Sequence, residues 1–280
     1  MHAAIRTLVS TLIVGSALAF APASAAPAPA ICTERAEGGE QTAFGLTADR
    51  RLICFKVARP SVSRTLMTVS LTAPDVALVG IDSRPASGAV YGLGDGGGIY
   101  LLDLAEGKPV LKARLTTALD GTSFGLDFNP TVDRLRVVSD RGQNLRVNVD
   151  TGATTVDGFL KFGANRALGV GAAAYTNNDN DVSTATVLFD LDSIGSQLVV
   201  QSPPNDGVLG TGVSVGFRGS AEAAFDIVST IRDGKAVANT GFLALDGGGS
   251  LFRLDLSTNE LTFLANMGSN RLIGLAFPTD

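Results

Sequence analysis

The sequence predicts an all-β fold, a β-propeller of five blades whose ring is closed by strands from both ends of the chain. Three observations point to it. Apolar residues come in short runs of Val, Leu, Ile and Phe, broken by Gly, Asp, Asn and Pro, without a sustained helical period. Gly-bearing strands recur, with Gly80, Gly125 and Gly171 spaced by about 45 residues, the length of a four-stranded blade. The unit left incomplete near the start of the chain is completed by a lone strand near its end. The 33 glycines among 280 residues are well above the usual ~7% and fit a fold rich in hairpin turns.

Residues 1–26 read as an export signal. Arg6 precedes an apolar run from Leu8 to Phe20, and Ala23 and Ala25 supply the small residues of a cleavage site. The run is shorter than the ~20 residues of a bilayer span, and no later stretch is long and apolar enough for one. Cleavage removes Arg6 and no acid, so the exported chain is one unit more negative than the formal −5. It also removes His2, the one histidine. Residues 27–41 form an N-terminal arm, and 42–280 a single propeller domain. Cys32 and Cys54 are the two cysteines. In an oxidising compartment they are expected to bridge, tying the arm to the second strand.

The blades follow in order. Residues 42–71 supply a second and third strand with no first strand before them. Residues 77–115 hold the hairpin Leu93-Gly-Asp-Gly-Gly-Gly-Ile-Tyr100, which ends in Leu102-Asp-Leu104. Residues 122–162 repeat the plan around Asp140 and Gly142. Residues 167–215 are irregular, which keeps a sixth blade open. Residues 220–267 carry a second Asp-Gly-Gly-Gly turn, Asp246 to Gly249. Residues 271–278 are the first strand that 42–71 lacks, and joining them leaves the ring without an exposed edge.

The cassette Gly125-Leu-Asp-Phe-Asn-Pro-Thr-Val-Asp-Arg-Leu-Arg-Val-Val-Ser139, followed by Gly142-Gln-Asn-Leu-Arg-Val-Asn148, resembles the signature of an uncharacterised bacterial exported family, domain of unknown function 4394. Gly80-Ile-Asp-Ser-Arg-Pro85, Ala174-Tyr-Thr-Asn177 and Pro203-Pro-Asn-Asp-Gly207 extend the likeness across nearly all of residues 42–278. The resemblance implies an exported, propeller-like domain and brings no catalytic residues with it.

Without His in the exported chain, Ser-His-Asp and Cys-His catalysis and His-built zinc sites are excluded. A pI near 4.9 argues against nucleic acid as a partner. Neither Gly-rich turn precedes a helix, so neither reads as a phosphate loop. Three candidate groups remain. Asp82, Asp127 and Asp226 occupy comparable places in successive first strands and should line the central channel, as catalytic carboxylates or as acceptors of N–H or Arg bonds. Arg134, Arg136, Asn144, Arg146, Tyr175 and Asn177 are candidate ligand-binding residues. The arginines, with Asp127, Asp133 and Asp140 nearby, read equally as an Asp–Arg lattice between blades. Asn177-Asn-Asp-Asn-Asp181 is oxygen-rich. Asp179 and Asp181 are its candidate calcium ligands, although the spacing is not that of an EF-hand, and the leading expectation is no cofactor.

The sequence is therefore read as an exported, periplasmic or extracellular, non-enzymatic binding or scaffold propeller. Its partner would be an envelope protein, a glycan or a small anion. The alternative is a hydrolase using channel carboxylates on a glycan or similar substrate, whose two carboxyl groups would stand about 5–9.5 Å apart.

Overall fold

The computed structural model describes residues 41–216 and 223–279. The export signal and the arm up to residue 40, Cys32 included, lie outside the described residues, as do 217–222 and Asp280. The expected Cys32–Cys54 pairing is therefore not described.

The described chain is almost entirely β, in the order the repeats predict. Strands β1 (Thr42–Thr47), β2 (Arg51–Lys56) and β3 (Ser63–Thr68) come first. Blade 2 is β4 (Leu78–Arg84), β5 (Ala89–Gly94), β6 (Gly98–Asp103) and β7 (Lys108–Arg114). Blade 3 is β8 (Phe124–Asn129), β9 (Arg134–Ser139), β10 (Asn144–Val147) and β11 (Thr154–Val156). A separate two-stranded hairpin follows, β12 (Lys161–Phe162) with β13 (Asn165–Arg166). Blade 4 is β14 (Val170–Tyr175), β15 (Leu188–Asp192), β16 (Gln197–Gln201) and β17 (Val213–Ser214), with a 3₁₀ turn at Pro204–Asp206. Blade 5 is β18 (Ala224–Arg232), β19 (Lys235–Leu245), β20 (Ser250–Asp255) and β21 (Glu260–Asn266). The last strand, β22 (Leu272–Ala276), pairs antiparallel with β1 and completes blade 1.

Five sheets of four strands result, joined through the termini as expected. The inner strands touch in the cycle β22, β4, β8, β14, β18 and back to β22, which closes the ring. One boundary differs from the sequence reading. The third unit was drawn to residue 162, but its outer strand ends at Val156, and Lys161 pairs with Arg166 instead. The irregularity of residues 167–215 has a local cause. Residues 176–187 form a long loop between β14 and β15, and residues 202–212 separate β16 from a two-residue β17.

The core lies between blades, because each sheet buries both faces against its neighbours. Tyr91, Leu93 and Ile99 of blade 2 pack with Phe124, Leu126 and Val137 of blade 3. Two glycine positions show how tightly the parts meet. A Cβ on Gly98 would lie 2.4 Å from an Asp75 carboxylate oxygen. That carboxylate accepts the Gly96 and Gly98 N–H groups, the Tyr100 hydroxyl and Arg114 Nη1. Near the ring axis, a Cβ on Gly125 would lie 2.5 Å from Ala173 N and 2.6 Å from Ala172 C. Only a bare backbone lets β8 approach β14 so closely. Gly125→Ala is expected to destabilise the protein by about 2 kcal/mol, the usual cost of overpacking, measured by urea denaturation. An unchanged midpoint would contradict the close approach.

Candidate functional site

Asp82 on β4, Asp127 on β8 and Asp226 on β18 converge on the axis, as the comparable places in their strands predict. One carboxylate oxygen of each lies within 4.8 Å of the others, and the three residues are 5%, 2% and 4% exposed. They act first on the backbone. Asp82 accepts the Ser83 N–H (2.7 Å) and, across the blade boundary, that of Phe128 (2.6 Å). Asp226 accepts the Ile227 N–H (2.6 Å) and, across another boundary, that of Phe277 (2.9 Å). The Tyr175 N–H of blade 4 faces Asp127 and acts to lower its pKa.

These five N–H groups follow five equivalent inner-strand positions, occupied by Asp82, Asp127, Ala174, Asp226 and Ala276. Where the preceding blade supplies an Asp, the N–H bonds across the boundary. Where it supplies Ala174 or Ala276, the N–H turns to its own blade's Asp. Asp82 and Asp226 thus satisfy four of the five inward-facing N–H groups, which would otherwise be buried unpaired, and Asp127 faces the fifth.

The electrostatic consequence is severe. Burial pushes Asp82 up to about 7. It pushes Asp127 and Asp226 well above the usual carboxylate range, and there the neighbouring carboxylates add to the effect. No cationic side chain is among the influences on any of the three. Like charges this close cannot all ionise in a low-dielectric site, so the cluster holds protons at neutral pH. Among the described residues this is also the acidic set close enough to share a metal ion, although four of its oxygens already accept N–H bonds.

The axis leaves little room beside these groups. The central cavity has a volume of about 10 Å³, with Ile81, Leu126, Ala173, Phe225 and Leu275 among its lining residues. That is space for about one water molecule.

The second candidate group divides. Arg136, Asn144, Arg146 and Tyr175 meet between blades 3 and 4. Arg136, 2% exposed, donates to Tyr175 Oη (3.2 Å), Asn144 Oδ1 (2.8 Å), Asp157 Oδ2 (2.7 Å) and Asn205 Oδ1 (2.9 Å). Arg146 grips the same carboxylate at 2.7 and 2.9 Å, and that contact raises its own pKa. This is the lattice reading, with a corrected partner. The counter-charge is Asp157, whereas Asp133 pairs with Arg84 and Asp140 accepts bonds from Thr122. Arg84 also reaches Asp150 (3.0 Å) and so ties blade 2 to blade 3. Arg134 and Asn177 lie elsewhere. Arg134 is exposed at the start of β9 and donates to the carbonyls of Val132 and Asp133.

Asn177 begins a strap across the channel mouth. Its N–H donates to Asn239 Oδ1 (2.9 Å), and Asn239 Nδ2 donates back (2.7 Å). Asn178 N–H bonds Ser229 Oγ, and Asn180 Nδ2 crosses to the Pro85 carbonyl of blade 2 (2.9 Å). The candidate calcium ligands are engaged in this strap. Asp179 accepts the Asp181 and Ala236 N–H groups, and Asp181 accepts Ser183 N–H and pairs with Lys235 at 3.4 Å.

Two outcomes follow. The axial acids, and Asp190, which burial pushes up to about 8, bind more protons folded than unfolded above the ordinary aspartate value of 3.8, so stability falls as pH rises through about 7. Asp75, Asp133 and Asp140, whose pKa values are lowered, work oppositely and lose their contribution only on acidification below that range. The melting temperature should therefore be higher at about pH 5 than at about pH 8. Asp127→Asn, which mimics a protonated carboxyl, should flatten that slope, and an unaltered slope would contradict shared protons. Arg136→Ala should cost about 3 kcal/mol by breaking a buried paired charge, against under about 0.5 kcal/mol for exposed Arg134→Ala. Equal effects in chemical denaturation would contradict the lattice.

No curated protein matches the chain in sequence. Among solved structures, a structural genomics protein of unknown function from Bacteroides thetaiotaomicron VPI-5482 aligns with a TM-score of 0.52 at 14% identity, covering 86% of this chain and 62% of that one. The nidogen/laminin complex gives 0.46 at 13%, covering 86% and 98%, and Myxococcus xanthus glutaminyl cyclase gives 0.41 at 15%, covering 71% and 70%. At these identities the first likeness shows the fold alone. Residues 51–276 match the family described as Domain of unknown function (DUF4394), and the chain belongs to that family.

Proposed function

We propose that this protein is an exported binding or scaffold propeller that meets its partner on the loop faces of the ring rather than inside the channel. The observation that carries this reading is the closed axis. The central cavity of about 10 Å³ is far smaller than the ~300–1,000 Å³ of pockets that enclose small molecules. Both oxygens of Asp82 and of Asp226 are spent on strand N–H groups, which does not suit them to flank a glycosidic bond as acid and nucleophile or base.

A closed ring whose axial strand N–H groups are held by carboxylates is a rigid platform, and its loops are free to carry recognition. Export and a Cys32–Cys54 bridge belong to this reading. Titration of the denatured, unreduced exported protein should find no free thiol, and two free thiols would remove the bridge.

The functional test is a thermal-shift screen of glycans, small anions and envelope proteins, followed by turnover assays on every hit. Stabilisation without turnover supports the binding reading. Turnover that disappears in Asp127→Asn would replace it with a carboxylate-dependent hydrolase.

A further inference from the structure

The junction of blades 3 and 4 contains buried polar atoms that the described protein leaves without partners. Asp190 on β15 is 0% exposed, and neither of its carboxylate oxygens has a hydrogen bond. Gln201 on β16 is 1% exposed. Its Nε2 donates to the Pro204 carbonyl at 2.5 Å, but its Oε1 has no donor.

The strand register places these groups together. Tyr175 and Gln201 both sit opposite Leu188, and Asp190 sits opposite Ala173 and Val199. Cross-strand partners and alternate residues share a sheet face, so Tyr175, Asp190 and Gln201 project from one face of blade 4. That face meets blade 3 through the bond from Arg136 Nε to Tyr175 Oη. Arg136 uses four of its five N–H groups, on Tyr175, Asn144, Asp157 and Asn205, and one Nη2 hydrogen remains. Burial pushes Asp190 up to about 8 and the Arg136 charge opposes that rise, although no direct bond joins the two.

Three oxygens and one N–H without partners thus meet at this junction, and the proton that buried Asp190 holds at neutral pH adds a second donor. The chemistry of an occupant follows from that count. A metal cation would add charge where Arg136 and Arg146 already oppose the single carboxylate of Asp157. An anion would face the oxygens of Asp190 and Gln201. Water both donates and accepts, and internal waters typically make about three such bonds to otherwise unpaired groups. We propose that Asp190 and Gln201 hold an internal water site that bridges blade 4 to Arg136 of blade 3.

A high-resolution crystal structure of the protein tests this. The expected result is an ordered water about 2.7–3.2 Å from an Asp190 oxygen and from Arg136 Nη2 or Gln201 Oε1. Direct contact of Asp190 with Arg136 or Gln201 would overturn the proposal. So would a density with the six or more oxygen ligands of a hard cation. In solution, magnetic relaxation dispersion should count at least one fewer long-lived water in Asp190→Leu than in the wild type. An equal count in a folded variant would overturn it, and the wild-type crystal structure decides if that variant does not fold.

Discussion

Five backbone N–H groups point toward the axis of this ring, and the carboxylates of Asp82 and Asp226 hold four of them. The inner strands are buried at this depth, so every unpaired N–H would carry its full desolvation cost. A full set of five acids would crowd five like charges into one small space. The sequence at the five equivalent positions, Asp82, Asp127, Ala174, Asp226 and Ala276, is the compromise. Each oxygen of Asp82 and of Asp226 takes one N–H, and two of those four bonds cross a blade boundary. The acids therefore stitch the ring together at its narrowest point through those N–H bonds, and burial raises their pKa values with no cation among the influences.

The rest of the architecture follows from that tight centre. Gly125 admits the β14 backbone against β8. Small and apolar residues fill the axis. The strap of residues 176–187 lies across the mouth, held by Asn239 and Ser229 of blade 5 and by the Pro85 carbonyl of blade 2. Charged side chains are placed between blades at greater radius, where Arg84 and Arg136 each join neighbouring sheets. These features favour a rigid platform over a reaction chamber.

Much of this was legible in the residues. The repeat spacing, the Asp-Gly turns and the split first unit specify five blades and the closing strand, because each reflects local strand and turn chemistry. The convergence of Asp82, Asp127 and Asp226 was legible because all three recur at one place in the repeat. Asp157, Asp190, Gln201 and Asn205 were not. They lie at the end of a short strand or within the irregular fourth unit, and they meet Arg136 only through packing between blades. No local period records that meeting. For the same reason the nearby Asp127, Asp133 and Asp140 were the expected partners of the arginines, whereas Asp157 holds the buried one. The strap was visible only as an oxygen-rich run, since nothing in its own sequence shows that it crosses the ring.

Burial and mutual repulsion keep the axial carboxyl cluster partly protonated at neutral pH. Carbon NMR titration of the aspartate carboxyl groups, with Asp82→Asn, Asp127→Asn and Asp226→Asn to assign the signals, tests it most directly. The account predicts that at least one of the three remains protonated at about pH 7, far above the usual ~3.9 of aspartate. Titration of all three near that ordinary value would contradict it.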